Sequence, residues 1–384
     1  MPATAAVSPA LTALPTTAAL ADRLARLAEQ AAISGADAVV IGPGADMRYF
    51  LGTAVSSHER LTCLVVPADG TPGLLVPVLE RPGWAGSPAE ELGLPISTWA
   101  DGDNPYAAAS QLLPDGARVL AVDYYLPAMH ALGLQTEVPG SELTLAGEAI
   151  AHLRMHKDPT EIRALVAVGE AIDRVQKRIA EWLIPGRTEA DVAADIRAAL
   201  VQEGHAAADF AIVGSGPNGA SPHHEASDRV IQRGETVVID IGGPSPAGYY
   251  SDCTRTYFTS APTDPQAAEV YEIVRRAQAA GVAAVRPGVT AESVDAAARA
   301  VIEDAGYGPY FITRTGHGIG LEVHEHPYLV RGNTLALEPG MAFSVEPGIY
   351  LTGRFGVRIE DIVIVTADGA RLANVAPTDA TVLG

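Results

Sequence analysis

Four acidic residues and one histidine stand at five separated points in the C-terminal half of the chain. Carboxylate oxygens with a single imidazole nitrogen suit manganese, cobalt or zinc better than thiol-seeking metals. This set is large enough to hold two divalent cations side by side, and paired cations of that kind activate water for hydrolysis. The residues therefore predict a two-metal hydrolase. The candidate ligands are Asp240, Asp252, His317, Glu346 and Glu360.

The four acids form two pairs that fit two hairpins. Asp240 follows a short apolar run and precedes two glycines, whereas Glu346 follows a second apolar run and precedes a Pro-Gly pair. Both patterns are typical of buried strands that end in a turn. Asp252 follows Asp240, and Glu360 follows Glu346, at a separation that suits a hairpin. We expect each hairpin to carry one carboxylate on each strand.

The same half of the chain contains an internal repeat. Residues 185–204 align without gaps on residues 287–306, sharing the first Pro-Gly pair, a threonine, an Arg-Ala pair and the last glycine. The threonines, Thr188 and Thr290, are expected to cap helices that end at those glycines. Two copies that face each other would bring the four acids to one centre.

An acid at the end of a strand is usually a solvated turn residue, and this remains the alternative for each of the four. A carboxylate after an apolar run is costly to bury unless it is paired or bound to a cation. Such acids occur here at matching places in both repeats. His317 lies among Gly316, Gly318 and Gly320, which let the backbone approach its ring. We interpret the five residues as one ligand set.

These residues lie in the motifs IDIGG, YYSDCTRT, GHGIGLEVHEHP, SVEPGIY and VRIED. Together the motifs resemble those of the pita-bread metallopeptidases, which include prolidase, aminopeptidase P and methionine aminopeptidase. The resemblance is close over 151–384 and only general before that. It implies an α+β protein with a pita-bread catalytic domain, a duplicated αβ half, at 151–384 and a smaller α/β N-terminal domain at 1–150. Creatinase shares the fold but lacks the metal ligands, so the complete set argues against that branch.

The resemblance also implies how the cations are held. Asp240 and Asp252 would bind one cation, Asp252 and Glu360 would bridge to the second, and His317 and Glu346 would complete the second site. Two divalent ions per chain are expected, with Mn²⁺ favoured and Co²⁺ or Zn²⁺ as alternatives. A bridging hydroxide would attack the peptide bond, with Glu346 as general base and then general acid.

Two further histidines match family residues outside the metal shell. His223 and His324 would donate hydrogen bonds to the substrate carbonyl oxygen or to the oxyanion that develops from it. The alternative for each is a loop residue without a catalytic role. His224 and His326 are expected to be structural or exposed.

The substrate class follows from the resemblance. Prolidases and aminopeptidases P cleave the bond before proline, a tertiary amide whose rigid ring a small apolar pocket can select. Methionine aminopeptidases usually lack a long N-terminal domain, so residues 1–150 favour the Xaa-Pro branch, in which an Xaa-Pro dipeptidase is the leading prediction. Aminopeptidase P, which acts on longer Xaa-Pro peptides, is the next alternative. A catalytically silent binding module on the same fold and a metal hydrolase of another amide also remain open.

A dipeptide has a free carboxylate beside its proline, and an arginine can grip that group bidentately. In some prolidases this arginine comes shortly after the HE-x-P motif, but here Tyr328 follows the motif and Arg331 is the nearest candidate. Arg48 is another candidate, with a solvated loop residue as its alternative. Arg358 is expected to fix a carboxylate ligand. Tyr350 is a candidate for hydrogen bonding at the reaction centre, with a core tyrosine as its alternative.

Composition limits the class of protein and its partners. The 384 residues, 48% of them hydrophobic, suffice for two cores. The net charge of −20 disfavours nucleic acid and anionic membranes, and no apolar run is long enough for a membrane span. The expected partners are small peptides with proline in the second position, and the family resemblance alone suggests a homodimer.

The compartment is inferred from the cysteines and the start of the chain. Cys63 and Cys253 are too few for a disulfide framework, which suits the cytoplasm. The Ala/Thr/Pro-rich stretch Met1–Ala19 has no basic residue before an apolar core, so we do not interpret it as a secretory signal. We expect this stretch to be partly disordered.

The first part of the chain alternates between helical and strand patterns, which predicts an α/β domain. We predict helices at 18–34, 106–113 and 126–132, and strands at 38–41, 61–66, 74–78 and 119–122. A further helix is predicted from a cap at Asp158 to Leu183. Residues 214–219 fit G-x-G-x-x-G, but Pro217 and the residues after it do not open a helix, so we reject a dinucleotide site. We expect this loop to position His223.

Overall fold

The structure is a computed structural model that describes residues 8–56 and 59–383. The described chain divides into two compact units, of which one is Leu14–Arg154 and the other takes in the remaining residues. The disorder expected for Met1–Ala19 falls partly on residues 1–7, which lie outside the described residues. From Pro9 the chain is regular, with a 3₁₀ turn at Pro9–Thr12 and a helix that begins at Thr17.

The unit at Leu14–Arg154 is built on one mixed sheet with the strand order β4-β3-β2-β1-β5-β6. Its strands are β1 (Ala38–Ile41), β2 (Cys63–Pro67), β3 (Gly73–Pro77), β4 (Ile96–Trp99), β5 (Val119–Val122) and β6 (Glu142–Leu145). Its helices are α1 (Thr17–Ser34), α2 (Ala45–Leu51), α3 (Pro88–Glu91), α4 (Pro105–Ser110), α5 (Ala128–Glu137) and α6 (Gly147–Met155). The four predicted strands are present because their apolar runs are buried. The edge strands β4 and β6 were not predicted, since they are mostly exposed or half-buried and carry no clear apolar pattern.

The second unit carries most of the C-terminal half. Its helices are α7 (Pro159–Gln176), α8 (Glu189–Gln202), α9 (Ala267–Ala284) and α10 (Ala291–Asp304). Its strands are β7 (Phe210–Ser215), β8 (Thr236–Pro244), β9 (Tyr250–Phe258), β10 (Gly316–Gly318), β11 (Glu325–Leu329), β12 (Ala342–Val345), β13 (Gly348–Leu351), β14 (Phe355–Arg358), β15 (Asp361–Val365), β16 (Ala370–Leu372) and β17 (Thr381–Val382). They form sheets of order β17-β9-β8-β7, β11-β10-β12-β15-β16 and β13-β14.

The predicted duplication is confirmed in the placement of two helices. Helices α8 and α10 have the same length and begin at equivalent positions of the two repeats. The residues before them, Thr188 and Thr290, each form an isolated antiparallel bridge to a later segment. Thr188 caps α8 through its side chain, as predicted, whereas Thr290 occupies the cap position without a side-chain hydrogen bond. Gly204 and Gly306 follow the helix ends with positive φ, the backbone conformation that favours glycine.

Helix α7 begins as predicted and ends early. Asp158 accepts hydrogen bonds from the first turn, and Glu161 completes a capping box. The helix ends at Gln176, not at Leu183 as predicted, and the chain tightens into a 3₁₀ turn at Ile179–Glu181. Ile179 and Leu183 are buried in the same core, so the tighter turn still places the apolar side chains after α7 in the interior.

The glycines after Asp240 do not form the predicted turn. Strand β8 runs on through Asp240 to Pro244 and pairs with β9 over its whole length. A Cβ at Gly242 would lie 2.3 Å from the ring of Phe210, and one at Gly243 would lie 2.2 Å from the carbonyl oxygen of Ala207. These glycines are therefore needed for close backbone approach within the sheet.

The second predicted hairpin is interrupted at both carboxylates. Strand β12 pairs with β15, and β13 pairs with β14 in a separate sheet. Glu346 lies in the two-residue break between β12 and β13, and Glu360 lies in the break between β14 and β15. The prediction of one acid on each strand is wrong here, because the chain passes from one sheet to the other at the positions of the two acids.

Within the described ranges, no helix is long and apolar enough to span a bilayer.

Candidate metal centre and active site

One cavity in the second unit brings the five candidate ligands together. It has a volume of about 510 Å³. Four of the ligands, Asp240, Asp252, His317 and Glu360, are buried, and the side chain of Glu346 is 17% exposed. The cavity is lined by Phe210, Ile212, Pro222, His223, Asp240, Asp252, Thr313, Arg314, His317, Val323, His324, Glu346, Tyr350, Arg358 and Glu360.

The first pair of acids stands on the β8–β9 hairpin, as the sequence predicts. Asp240 pairs with Thr254, and Gly242 pairs with Asp252, in the antiparallel register. The two carboxylates are therefore diagonal neighbours on the same face of the sheet. Gly242, which lies opposite Asp252, lacks a side chain, and the ring of Phe210 takes up the space that its Cβ would need. Cys253 points into the core on the other face, as strand alternation requires.

His317 joins the two hairpins. It lies on β10, where its Nδ1–H donates to the carbonyl oxygen of Gly318 (3.1 Å). Its Nε2 lies 3.1 Å from Glu346 Oε1 and 3.6 Å from Asp252 Oδ2. With Nδ1 protonated, a neutral ring would turn a lone pair towards two carboxylates, which is repulsive. A proton between Nε2 and a carboxyl group, or a cation between these atoms, resolves the contact.

Arg358 holds two of the acids in place through hydrogen bonds. Its Nη2 donates to Asp240 Oδ2 (2.7 Å), and its Nη1 donates to the hydroxyl of Tyr350 (3.0 Å). Its Nε donates to Thr254 Oγ1, and the Thr254 hydroxyl in turn donates to Glu360 Oε2 (2.7 Å). The guanidinium thus fixes one acid directly and another through a threonine, in the supporting arrangement typical of metal sites.

Three carboxylate oxygens have no hydrogen-bond partner among the described residues. They are buried, and they belong to Asp240 (Oδ1), Asp252 (Oδ1) and Glu360 (Oε1). Asp252, His317 and Glu360 each offer a ligand atom, and these atoms lie within 4.8 Å of one another. Buried anionic oxygens without donors are costly, and oxygen-rich sets of this kind suit divalent cations. The residues therefore fit the predicted metal ions.

Burial and mutual repulsion change the titration of the acids. Burial, together with the charges of Glu360 and Asp240, raises the pKa of Asp252 well above its usual range. Burial and the charges of Glu346 and Asp240 do the same to the pKa of Glu360. Burial acts in the same sense on Glu346, but His317, Arg358 and Ser344 outweigh it and lower the pKa of that carboxyl. Of these three carboxyl groups, Glu346 is thus the one that ionises most readily.

These shifts predict how the metal-free protein responds to pH. The pKa values of Asp252 and Glu360 are raised in the folded state, so above about pH 4 the unfolded chain loses these protons first. The folded state then binds more protons, and the free energy of unfolding falls as pH rises. We expect the melting temperature of chelated protein to fall between pH 5 and pH 8, and added Mn²⁺ to reverse most of that fall. Thermal unfolding with and without chelator measures this. A chelated protein that becomes more stable over this range would contradict it.

His223 and His324 both line the cavity, as expected. The ring of His324 lies edge-on to that of His317, with 4.1 Å between centroids. Although His324 remains partly exposed, desolvation and the nearby charges of His317 and Arg314 lower its pKa to about 4. It is therefore a neutral hydrogen-bond donor at physiological pH. His224, by contrast, contacts Glu189, and His326 is exposed.

Two predicted substrate residues lie outside the residues that line this cavity. Arg331 is 78% exposed in its side chain and lies 3.6 Å from Glu303. Arg48 is half-buried on α2 in the other unit. Arg314, which was not predicted from the sequence, lines the cavity and stacks over the ring of Tyr328 at 4.6 Å. Its position three residues before His317 was the available signal.

Comparison with known proteins gives two domain matches. Residues 163–367 match the model of metallopeptidase family M24, and residues 23–156 match the creatinase/prolidase N-terminal domain.

Relatives match over nearly the whole chain. A probable dipeptidase PepE of Mycobacterium tuberculosis is 52% identical over 94% of this chain and 96% of its own length. An Xaa-Pro dipeptidase of Lactobacillus helveticus is 37% identical over 88% of this chain and 92% of its own. The crystal structure of dipeptidase PepE from Mycobacterium ulcerans has a TM-score of 0.91 and 50% identity, and the match covers 97% of this chain and 100% of that one.

Proposed function

Because this chain belongs to metallopeptidase family M24, we propose that it is a metal-dependent Xaa-Pro dipeptidase that hydrolyses the bond before proline. The observation that carries the proposal is the cavity in which the five candidate ligands meet two further histidines and two arginines. The names of the Mycobacterium and Lactobacillus relatives support it.

We propose that Asp240 would hold one cation, that His317 and Glu346 would hold the second, and that Asp252 and Glu360 would contribute to both. Two divalent ions supply Lewis acidity and make hydroxide available near neutral pH. Mn²⁺ is our proposal for the native ion, with Co²⁺ and Zn²⁺ as alternatives, since oxygen ligands predominate. Metal analysis of protein purified without added metal would identify it.

The chain's own residues then manage the protons and the oxyanion. Glu346, whose pKa is lowered, accepts a proton from the attacking water while oxygen bonds to the substrate carbonyl carbon. The same carboxyl delivers that proton to the proline nitrogen as the C–N bond breaks. His324 and His223 donate hydrogen bonds to the carbonyl oxygen as its charge develops. Tyr350, held by Arg358, borders the same space.

The walls of the cavity suit a dipeptide that ends in proline. Phe210, Ile212 and Val323 supply apolar surface for the rigid ring. Arg314 has no ion-pair or hydrogen-bond partner among residues 8–56 and 59–383, and Tyr328 supports its guanidinium. We propose that Arg314 grips the carboxylate of the substrate, the role for which Arg331 and Arg48 were considered.

Replacement of Arg314 by Met tests this role. The Arg314→Met variant should raise KM for an Xaa-Pro dipeptide about 10- to 100-fold, because charged hydrogen bonds contribute about 1.5–3 kcal/mol. Hydrolysis of the C-terminal amide of the same dipeptide, which lacks the carboxylate, should change little. Arg331→Met is the matched control and should behave as wild type. Equal losses on the acid and the amide would refute the assignment.

A comparison of two substrates tests the proposed function. Protein loaded with Mn²⁺ is incubated with an Xaa-Pro dipeptide and with an Xaa-Pro-Yaa tripeptide. Faster cleavage of the dipeptide is expected. Preference for the tripeptide would indicate aminopeptidase P activity, inactivity on both would favour another amide, and binding without cleavage would indicate a silent module.

Three expectations remain proposals. We propose that the boundary between the two domains falls near residue 150, that two chains form a homodimer, and that the protein acts in the cytoplasm. The buried, unpaired state of Cys63 and Cys253 supports the last of these. Sedimentation of the purified protein would measure the oligomeric state.

A further inference from the structure

One buried carboxylate organises the loop that carries His223. Glu189 is the first residue of α8 and is fully buried. The chain after β7 passes a 3₁₀ turn at Gly216–Ala220, reaches His223 and returns past Ser227. The segment 215–227 closes around the Glu189 side chain before the chain continues to β8.

The donors to Glu189 come from both ends and the middle of that segment. Oε1 accepts from the backbone N–H of Ser215 (2.8 Å) and from its hydroxyl (2.7 Å). Oε2 accepts from the backbone N–H of Ser227 (3.1 Å) and from its hydroxyl (2.7 Å). Asn218 Nδ2 lies 3.1 Å from both oxygens, and His224 Nε2 lies 2.7 Å from Oε2. Among the described residues of this unit, no side chain outside segment 215–227 donates a hydrogen bond to this carboxylate.

The carboxylate is ionised where it lies. Burial alone would raise the pKa of Glu189, but the hydrogen bonds from Ser215, Ser227 and His224 lower it below its ordinary value. A buried anion is tolerated when its oxygens are fully satisfied by donors. The loop therefore depends on Glu189, and the charge of Glu189 depends on the loop.

In the second repeat, other residues hold the segment that precedes the cavity histidine His317. The position that corresponds to Glu189 is Ala291, at the start of α10. There, Asp295 accepts from Thr315 and Arg299, and Arg299 donates to the carbonyl oxygens of Phe311 and Thr313. Each half thus uses a helix-borne acid to hold the segment before its cavity histidine, but at different positions. Glu189 is therefore specific to the loop that carries His223.

We infer that Glu189 is a positioning residue that holds segment 215–227 so that His223 faces the cavity. This inference rests on the proposed role of His223 in Xaa-Pro hydrolysis. Glu189 itself does not line the cavity, so it acts through the loop. A donor that must reach a developing oxyanion loses effect when it is displaced by an ångström.

Hydrogen exchange tests the anchor without any need for activity. In Glu189→Gln, an amide replaces one acceptor oxygen, and the backbone amides of Ser215 and Ser227 should exchange faster than in wild type. Asn218→Ala, a milder change, should show the same effect to a smaller degree and covers the case in which Glu189→Gln does not fold. The control Asp173→Asn removes a different buried acid that accepts from two backbone amides and should leave segment 215–227 protected. Unchanged protection in both loop variants would overturn the inference.

A double-mutant cycle tests whether Glu189 acts through His223. Glu189→Gln alone should lower kcat about tenfold with a smaller change in KM. In a His223→Ala background the same substitution should have little further effect on kcat, because the residue that it positions is gone. Independent, multiplying losses would overturn the inference. Wild-type protein that cuts no Xaa-Pro peptide would overturn the proposed function instead, and the exchange measurement would still decide the anchor.

Discussion

The Asp252→Asn variant is expected to lose hydrolysis of Xaa-Pro dipeptides by at least about 1000-fold, because metal ions contribute several kcal/mol of transition-state stabilisation. Asp252 is assigned to both cations, and its Oδ1 is buried without a partner among the described residues. Asparagine keeps the shape and removes the charge. Metal analysis should therefore show reduced binding, and steady-state kinetics should show the loss of activity.

The same substitution should stabilise the protein when metal is absent. Burial and the neighbouring acids raise the pKa of Asp252, so its ionised form destabilises the metal-free fold. Asp252→Asn should raise the melting temperature of chelated protein at pH 8 and abolish most of the increase that Mn²⁺ gives to wild type. A variant that keeps its activity, or that melts lower than wild type in chelator, would contradict the assignment.

The sequence predicted which residues line the cavity far better than it predicted the strands and turns on which those residues lie. The five candidate ligands, His223 and His324 were chosen from residue type, apolar context and family resemblance, and all line one cavity. Asp240 and Asp252 were also placed correctly on a hairpin, because strand alternation is a local property.

The breaks at Glu346 and Glu360 could not be foreseen in the same way. The sequence pattern of strands β12 to β15 is typical of one long hairpin. Only the pairing of these strands in two different sheets shows that the acids lie between strands. The supporting contacts were also out of reach. Thr254 is a neutral residue in a strand, and it lies more than one hundred positions before Arg358 and Glu360, the two residues that it links.

Arg314 and Glu189 show a second limit of the sequence. Arg314 stands in a loop and Glu189 at the start of a predicted helix, and charged residues at such places are usually solvated. Their roles depend on what the fold leaves around them. Arg314 meets an aromatic ring and open space, whereas Glu189 meets a closed set of donors. Burial of a charge, which the sequence does not reveal, is what distinguishes Glu189 from an ordinary helix-start acid.

The Glu346→Gln variant separates the handling of protons from the holding of metal. Glutamine keeps an oxygen that can accept from Ser344 Oγ, which lies 3.0 Å from Glu346 Oε1. It cannot take a proton from water. We expect kcat to fall by about 100- to 10,000-fold, the range typical of general acid–base catalysis. Substrate binding should be retained, with KM changed much less than kcat.

Metal content distinguishes this variant from Asp252→Asn. Glu346 is assigned to one cation and Asp252 to both, so Glu346→Gln should keep at least one ion per chain. Metal analysis on the same preparations as the kinetics provides the comparison. If Glu346→Gln lost both ions, its inactivity would reflect a missing ligand, and the base would have to be sought elsewhere. If it kept wild-type kcat, the carboxyl would not move the proton at all. Retained metal with lost turnover is the outcome that the proposed role of Glu346 in proton transfer predicts.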